Sequence, residues 1–110
     1  FGTKIGSYQG LQHRAAHLFC EIELCKSITL KALQSIDDEN ENLSQYAHLA
    51  KAKLGEVLKL TSNEAIQMHG GIGVTDDVNI GFYLKRARVV QHLLGDTNYH
   101  LECIAKQKGY

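Results

Sequence analysis

Proline and tryptophan are absent from the chain. Without proline, no helix interior loses a backbone N–H or meets a ring clash, so long unbroken helices are open to it. Net charge is absent as well, since twelve Lys and Arg balance twelve Asp and Glu. A balanced chain offers no electrostatic footprint for nucleic acid or for an anionic membrane. No apolar run approaches the roughly 20 residues that a membrane span needs. Cysteine is scarce: Cys20, Cys25 and Cys103 make an odd number with no C-x-x-C spacing. That argues against a disulfide scaffold or a zinc knuckle and for free thiols in a reducing cytoplasm.

What is present is helical pattern. The 110 residues, 44% of them hydrophobic, suffice for one small domain with a modest core. Leu11, Ala15, Leu18, Ile22, Cys25, Thr29, Ala32 and Ile36 recur in steps of three and four, which is one stripe of a helix from Gln9 to about Ile36. The polar run "SIDDENEN" breaks it. A second stripe follows in Leu43, Ala47, Ala50, Leu54, Val57, Thr61, Ala65 and Met68. Two such helices joined by a short polar loop form an antiparallel hairpin. A third run, from Val78 to about Leu93, puts Ile80, Tyr83, Ala87 and Val90 on one face, and a short last helix is expected over Tyr99 to Lys106. The expected fold is all-α: an antiparallel helical bundle of two long helices and two shorter ones, occupying residues 1–110. Leu24, Ile28, Leu30, Leu49, Leu58 and Leu60 lie off the main stripes, so each long helix asks for more than one neighbour. Small residues at Ala47, Ala50 and Gly55 invite another helix to approach closely.

Residues with chemical potential are few. In "QMHGGIG", Gly70 suits the left-handed conformation that ends many helices. Gly71 and Gly73 lack Cβ and allow backbone to approach a ligand or another chain. A helix stop followed by a connector accounts for the same pattern. A Rossmann-type fingerprint does not fit, because that motif opens a helix and this one closes a helix. His13 and His17 share a helix face, but no third ligand stands at a matching step, so no metal site is expected. His69 is placed to bond backbone carbonyls. Lys85, Arg86 and Arg88 read as a solvated basic edge, and Asp96 as a helix N-cap.

Taken together, "AIQMHGGIGVTDD…FYLKRARVVQ" resembles the C-terminal helical domain of the acyl-CoA dehydrogenase family, in its divergent bacterial members. There a long helix ends in a Gln-x-x-Gly-Gly-x-Gly corner, followed by Thr-Asp and an Arg-Asp-Ala-Arg-like helix. "FGTKIGSYQGLQH" resembles the Phe-Gly-containing stretch that opens the same domain. The resemblance implies an FAD-dependent enzyme that forms a trans-2-enoyl-CoA from an acyl-CoA and passes electrons to an electron-transfer flavoprotein. It implies a homo- or hetero-oligomer in which this domain touches the flavin of a neighbouring subunit. It also implies flavin contacts from Phe1, Ile5, Gln9, Gln67, Gly70, Gly71 and Thr97. The arginine that precedes the Phe-Gly pair in the family would lie upstream of Phe1, so the sequence reads as a piece of a longer chain.

One position departs from the pattern. Many members carry Glu-Gly-Thr after the arginine-rich helix, and that glutamate removes the substrate α-proton. In "VVQHLLGDTN" an ungapped match puts Leu94 at the glutamate and Gly95 at the glycine. Leucine cannot accept a proton. Asp96, two positions on, is the nearest carboxylate and the candidate base, with Thr97 as the flavin-side hydroxyl. The alternative is a non-catalytic subunit or domain of a mixed oligomer.

Overall fold

The computed structural model describes all residues from Phe1 to Tyr110. Four helices follow one another: α1 (Gln9–Asp37), α2 (Leu43–His69), α3 (Ile80–His92) and α4 (Thr97–Gln107). A short 3-10 turn at Ile5–Ser7 precedes α1, and another at Gly70–Val74 follows α2. The all-α bundle read from the sequence is present, with two long and two shorter helices. The molecule is elongated, 56 × 27 × 26 Å, because two helices of nearly 30 residues set its length.

The α1–α2 turn uses the acidic run. Glu39 takes a positive φ of 49°. Asn40 N donates to the Ser35 carbonyl, and the Asn40 side chain accepts from Asn42 N. These bonds close the hairpin over "DENEN" and satisfy carbonyls that the end of α1 leaves free.

α2 is the centre of the domain, packing against α1, α3 and α4. Its buried residues, Ala50, Ala52, Gly55, Val57 and Ser62, point in several directions and are nearly all small. That smallness sets how close the neighbours come. A Cβ on Gly55 would lie 2.5 Å from Thr97 Oγ1, so glycine there is what lets the start of α4 press onto α2. Of the three small residues expected to admit a close neighbour, Ala50 and Gly55 are buried and Ala47 is exposed.

The face that α1 buries is rotated from the predicted stripe. Cys25 and Ser35 are its buried residues, while Ile22 and Ile36 are exposed. Leu11, Leu18, Cys25 and Ala32 mark a seven-residue repeat on the α2 side, joined by Arg14, Glu21, Ile28 and Ser35. The reason is that α2 is the only long partner of α1, so the seam follows the hairpin and not the hydrophobic count. Ser35 is tolerated there because its hydroxyl donates to the Lys31 carbonyl at 2.8 Å. Two polar contacts tie the upper half of the seam. Arg14 Nε donates to Glu64 Oε2 at 2.6 Å, and the Lys53 ammonium pairs with Glu21. Phe19, Leu24, Leu30 and Leu33 remain outside this seam and exposed.

Candidate functional site

The predicted site residues gather at two places. The Arg14–Glu64 pair fixes the start of α1 beside the end of α2. Phe1, Ile5 and Gln9 therefore share one end of the bundle with Gln67, Gly70 and Gly71. Asp96 and Thr97 do not join them. Thr97 Oγ1 donates to the Ala52 carbonyl at 3.4 Å, and Ala52 lies about 20 Å down α2 from Gln67 at 1.5 Å per residue.

At the first place, α2 ends on glycine. Gly70 has φ 67° and ψ −148°, and its N–H donates to the Gln67 carbonyl. The positive φ is as expected, but the ψ is not that of the left-handed helix. This region of backbone space belongs essentially to glycine alone. His69 Nδ1 lies 2.6 Å from the Ala65 carbonyl, so that nitrogen is the N–H donor and the ring is occupied in closing the helix. Gly73 is needed for packing: a Cβ there would fall 2.7 Å from the Ile66 carbonyl oxygen. Gly71 differs, since a Cβ on it would meet nothing within 4 Å. Nothing in this chain demands glycine at 71. Gln67 is exposed beside it. Phe1 is fully exposed, its ring set edge-on to Tyr8 at 6.0 Å. Ile5 is also largely exposed. The exposed Gln67 amide, the bare backbone at Gly71 and the Phe1 ring are thus all open to solvent at this end of the bundle.

The second place is the corner between α3 and α4. Asp96 caps α4, its Oδ1 accepting from Tyr99 N at 2.9 Å, as the sequence indicates. One carboxylate oxygen is thereby engaged with backbone. Before it, Leu94 has φ 61° and is 83% exposed. A leucine at positive φ is a strained residue. Gly95, at φ +101°, is enclosed: a Cβ would lie 2.5 Å from the Tyr99 ring and 3.0 Å from His100 Nε2. A polar cleft of about 360 Å³ opens beside the corner, with Lys59, Arg88, His92, Asp96 and Thr97 on its walls.

Three residues that the sequence did not single out hold this corner. Lys51, on α2, donates to the carbonyls of Gly95 at 3.0 Å, Gln91 at 3.2 Å and Val90 at 3.4 Å. His100 Nε2 donates to the Leu94 carbonyl at 3.0 Å, and His100 Nδ1 lies 2.8 Å from His48 Nδ1. His48 and Lys51 stand three apart on one face of α2, which was the available hint. No spacing in the chain connects that face to residues some forty positions later.

Lys85, Arg86 and Arg88 are exposed, as expected for a basic edge, and Arg88 reaches Asn63 Oδ1 at 3.5 Å. His17 lies 3.9 Å from Glu21, an acidic residue one helical step on that the sequence reading of His13 and His17 missed. The apolar face of α3 lines a groove against α2 of about 430 Å³, in which Ile80, Tyr83, Ala87 and Val90 meet Leu58 and Ala65. Thr61 Oγ1 is buried beside it without a hydrogen-bond partner. All three cysteines are unpaired, and no helix is long and apolar enough to cross a membrane.

The sequence has counterparts among known proteins. The profile described as the acyl-CoA dehydrogenase C-terminal domain matches residues 1–109, and the chain belongs to that family. It is 31% identical over 106 residues to the mitochondrial short/branched chain specific acyl-CoA dehydrogenase of Rattus norvegicus, covering 96% of this chain and 24% of that protein. It is 33% identical over 95 residues to acyl-CoA dehydrogenase IpdE2 of Mycolicibacterium smegmatis, covering 86% and 29% respectively. It is 31% identical over 107 residues to the probable acyl-CoA dehydrogenase YngJ of Bacillus subtilis, covering 97% and 28%. The chain thus spans about a quarter of the length of these relatives. No solved structure matches it significantly.

Proposed function

We propose that this chain is the flavin-contacting and oligomer-forming part of an FAD-dependent acyl-CoA dehydrogenase, which converts an acyl-CoA to its trans-2-enoyl-CoA. The observation that carries this reading is Gly71: the chain's own packing leaves its side-chain space empty, beside an exposed Gln67 and a glycine-only backbone at Gly70. Such a corner leaves room for close approach by something outside the chain. Gln67 would hydrogen-bond the dinucleotide, Gly70 and Gly71 would bring backbone against it, and Phe1, Ile5 and Gln9 would line its adenine side. Thr97, about 20 Å away along α2, would serve a different stretch of flavin or a second flavin. The bound FAD would supply the hydride acceptor, and an electron-transfer flavoprotein would then take the electrons. The exposed apolar residues of α1, among them Phe19, Leu24 and Leu30, give the oligomer a surface to bury. The unpaired thiols fit a reducing compartment such as the cytoplasm.

The test is Gln67→Ala in the intact protein. Flavin affinity should fall by the roughly 0.5–1.5 kcal/mol of one hydrogen bond, while the melting temperature of the flavin-free protein stays put. Equal losses with and without flavin would make Gln67 a helix-end residue and remove the reading.

A second reading, a non-catalytic subunit of a mixed oligomer, is favoured by the α3–α4 corner. Leu94 cannot take a proton, and Asp96 is engaged with Tyr99 N. Asp96→Asn in the intact protein separates the two roles. Abolished flavin reduction by acyl-CoA with FAD retained would make Asp96 the base. Unchanged turnover would leave it a cap.

A further inference from the structure

The α3–α4 corner combines two features. Its backbone holds a strained Leu94 at φ 61°, followed by Gly95 at φ +101°. It is also held by more side-chain bonds than any other turn of the molecule. Strained residues persist where the surroundings over-determine them, and such places cluster at functional sites. We propose that Lys51, His100 and His48 are positioning residues that lock the Leu94–Thr97 corner in a single shape, so that Leu94 is presented outward and Asp96 and Thr97 are held at the polar cleft.

Each bond has a distinct task. The end of α3 leaves the Val90 and Gln91 carbonyls without helical partners. The Lys51 ammonium, half-buried, covers both and reaches past them to Gly95, joining the end of α3 to the first residue beyond the strained leucine. A cation at a helix C-terminus also opposes the partial negative charge there. The Leu94 carbonyl can only accept, so His100 Nε2 is an N–H donor. In neutral His100 the Nδ1 is then an acceptor, and the facing nitrogen, His48 Nδ1, must carry the hydrogen. His100 is 8% exposed and wedged edge-on against the Tyr99 ring at 5.1 Å. The bracket thus runs from α2 through His48 and His100 to Leu94, and from α2 through Lys51 to Gly95. None of the three residues lines the polar cleft. They act through the backbone they hold.

The inference rests on the proposed function for its effect on turnover, but the bracket can be tested without it. Hydrogen exchange of residues 90–98 in the flavin-free intact protein is the direct measure. Lys51→Met keeps the length of the stem and removes the donors, and it should speed exchange there about tenfold, the scale of one charged hydrogen bond. α1 should exchange as before. Lys51→Arg should restore most of the protection. His48→Phe, which keeps a flat ring and removes the donor, should speed exchange of the same segment. A 15N-histidine spectrum should show His48 as the Nδ1–H tautomer, and this signature should disappear in His100→Phe. Unchanged exchange at 90–98, or equal acceleration along α1 and α2, would overturn the proposal. So would His48 as the Nε2–H tautomer. If exchange rises in Lys51→Met while kcat for acyl-CoA oxidation is unchanged, the bracket stands and the link to turnover falls. A fall in kcat at constant KM supports both.

Discussion

The two corners of this domain turn the chain with glycine but are stabilised by different means. The α2–α3 corner is local. His69 bonds four residues back, Gly70 bonds to Gln67, and Gly73 fits under Ile66. The α3–α4 corner is tertiary. Its carbonyls are held by Lys51 from 44 residues away, and a histidine pair spanning 52 residues supports its strained leucine. A local corner keeps its shape wherever its sequence is placed. A tertiary corner exists only when the bundle is assembled, so it reports the packing of α2 against α4.

The largest expected effect comes from filling the tertiary corner. Gly95→Ala adds a Cβ against the Tyr99 ring at a positive φ. It should destabilise the protein by roughly 2–4 kcal/mol in urea unfolding, combining backbone strain with overpacking. A loss below about 1 kcal/mol would mean that Tyr99 and His100 move aside and the corner is soft.

The local corner should divide in two. Gly73→Ala pushes on the Ile66 carbonyl, which is backbone and cannot swing away. It should cost about 1–3 kcal/mol. Gly71→Ala enters open space and should stay within about 0.5 kcal/mol, yet lower FAD retention in the intact protein if the proposed site is correct. Equal destabilisation by both would remove the distinction between packing and approach.

Capping gives a smaller effect. Asp96→Ala should cost roughly 1 kcal/mol and Asp96→Asn much less, because Asn also accepts the Tyr99 N–H. Thermal melts of the two variants decide it. If Asn is as damaging as Ala, the charge of Asp96 matters beyond its bond to Tyr99.

The smallest effect is acid sensitivity along the α1–α2 seam. Arg14 holds the Glu64 carboxyl below its ordinary range through their hydrogen bond, and Lys53 does the same for Glu21. A carboxyl depressed in the folded state adds stability above the unfolded value, about 4.3. That contribution is lost as pH falls through the folded value. Denaturation midpoints should therefore drop below about pH 4, and the drop should be shallower in the double variant Glu21→Gln, Glu64→Gln. Both pairs are near solvent, so the effect should also weaken in high salt.

Much of this was legible in the sequence, and the reasons are specific. The two long helices follow from an unbroken three-and-four periodicity with no proline. Their ends follow from "DDEN" and from Gly70, whose backbone only glycine adopts readily. The Asp96 cap follows from its place before a helical run. These are short-range effects, set by residues within a turn or two of each other. The α1 face was misread by a fraction of a turn, because a count of apolar residues cannot tell that only one helix covers it.

The sequence by itself thus determined the helices, the glycine corner and the family pattern, since local propensity and motif spacing are written along the chain. Only the tertiary structure decided which face of α1 is buried, that Gly71 is open while Gly73 is filled, and that Asp96 and Thr97 stand apart from Gln67. It alone brought Lys51, His48 and His100 to the strained Leu94. Bonds to backbone carbonyls require only a donor of the right reach. Such donors are common along any chain, and which one arrives depends on the packing of whole helices.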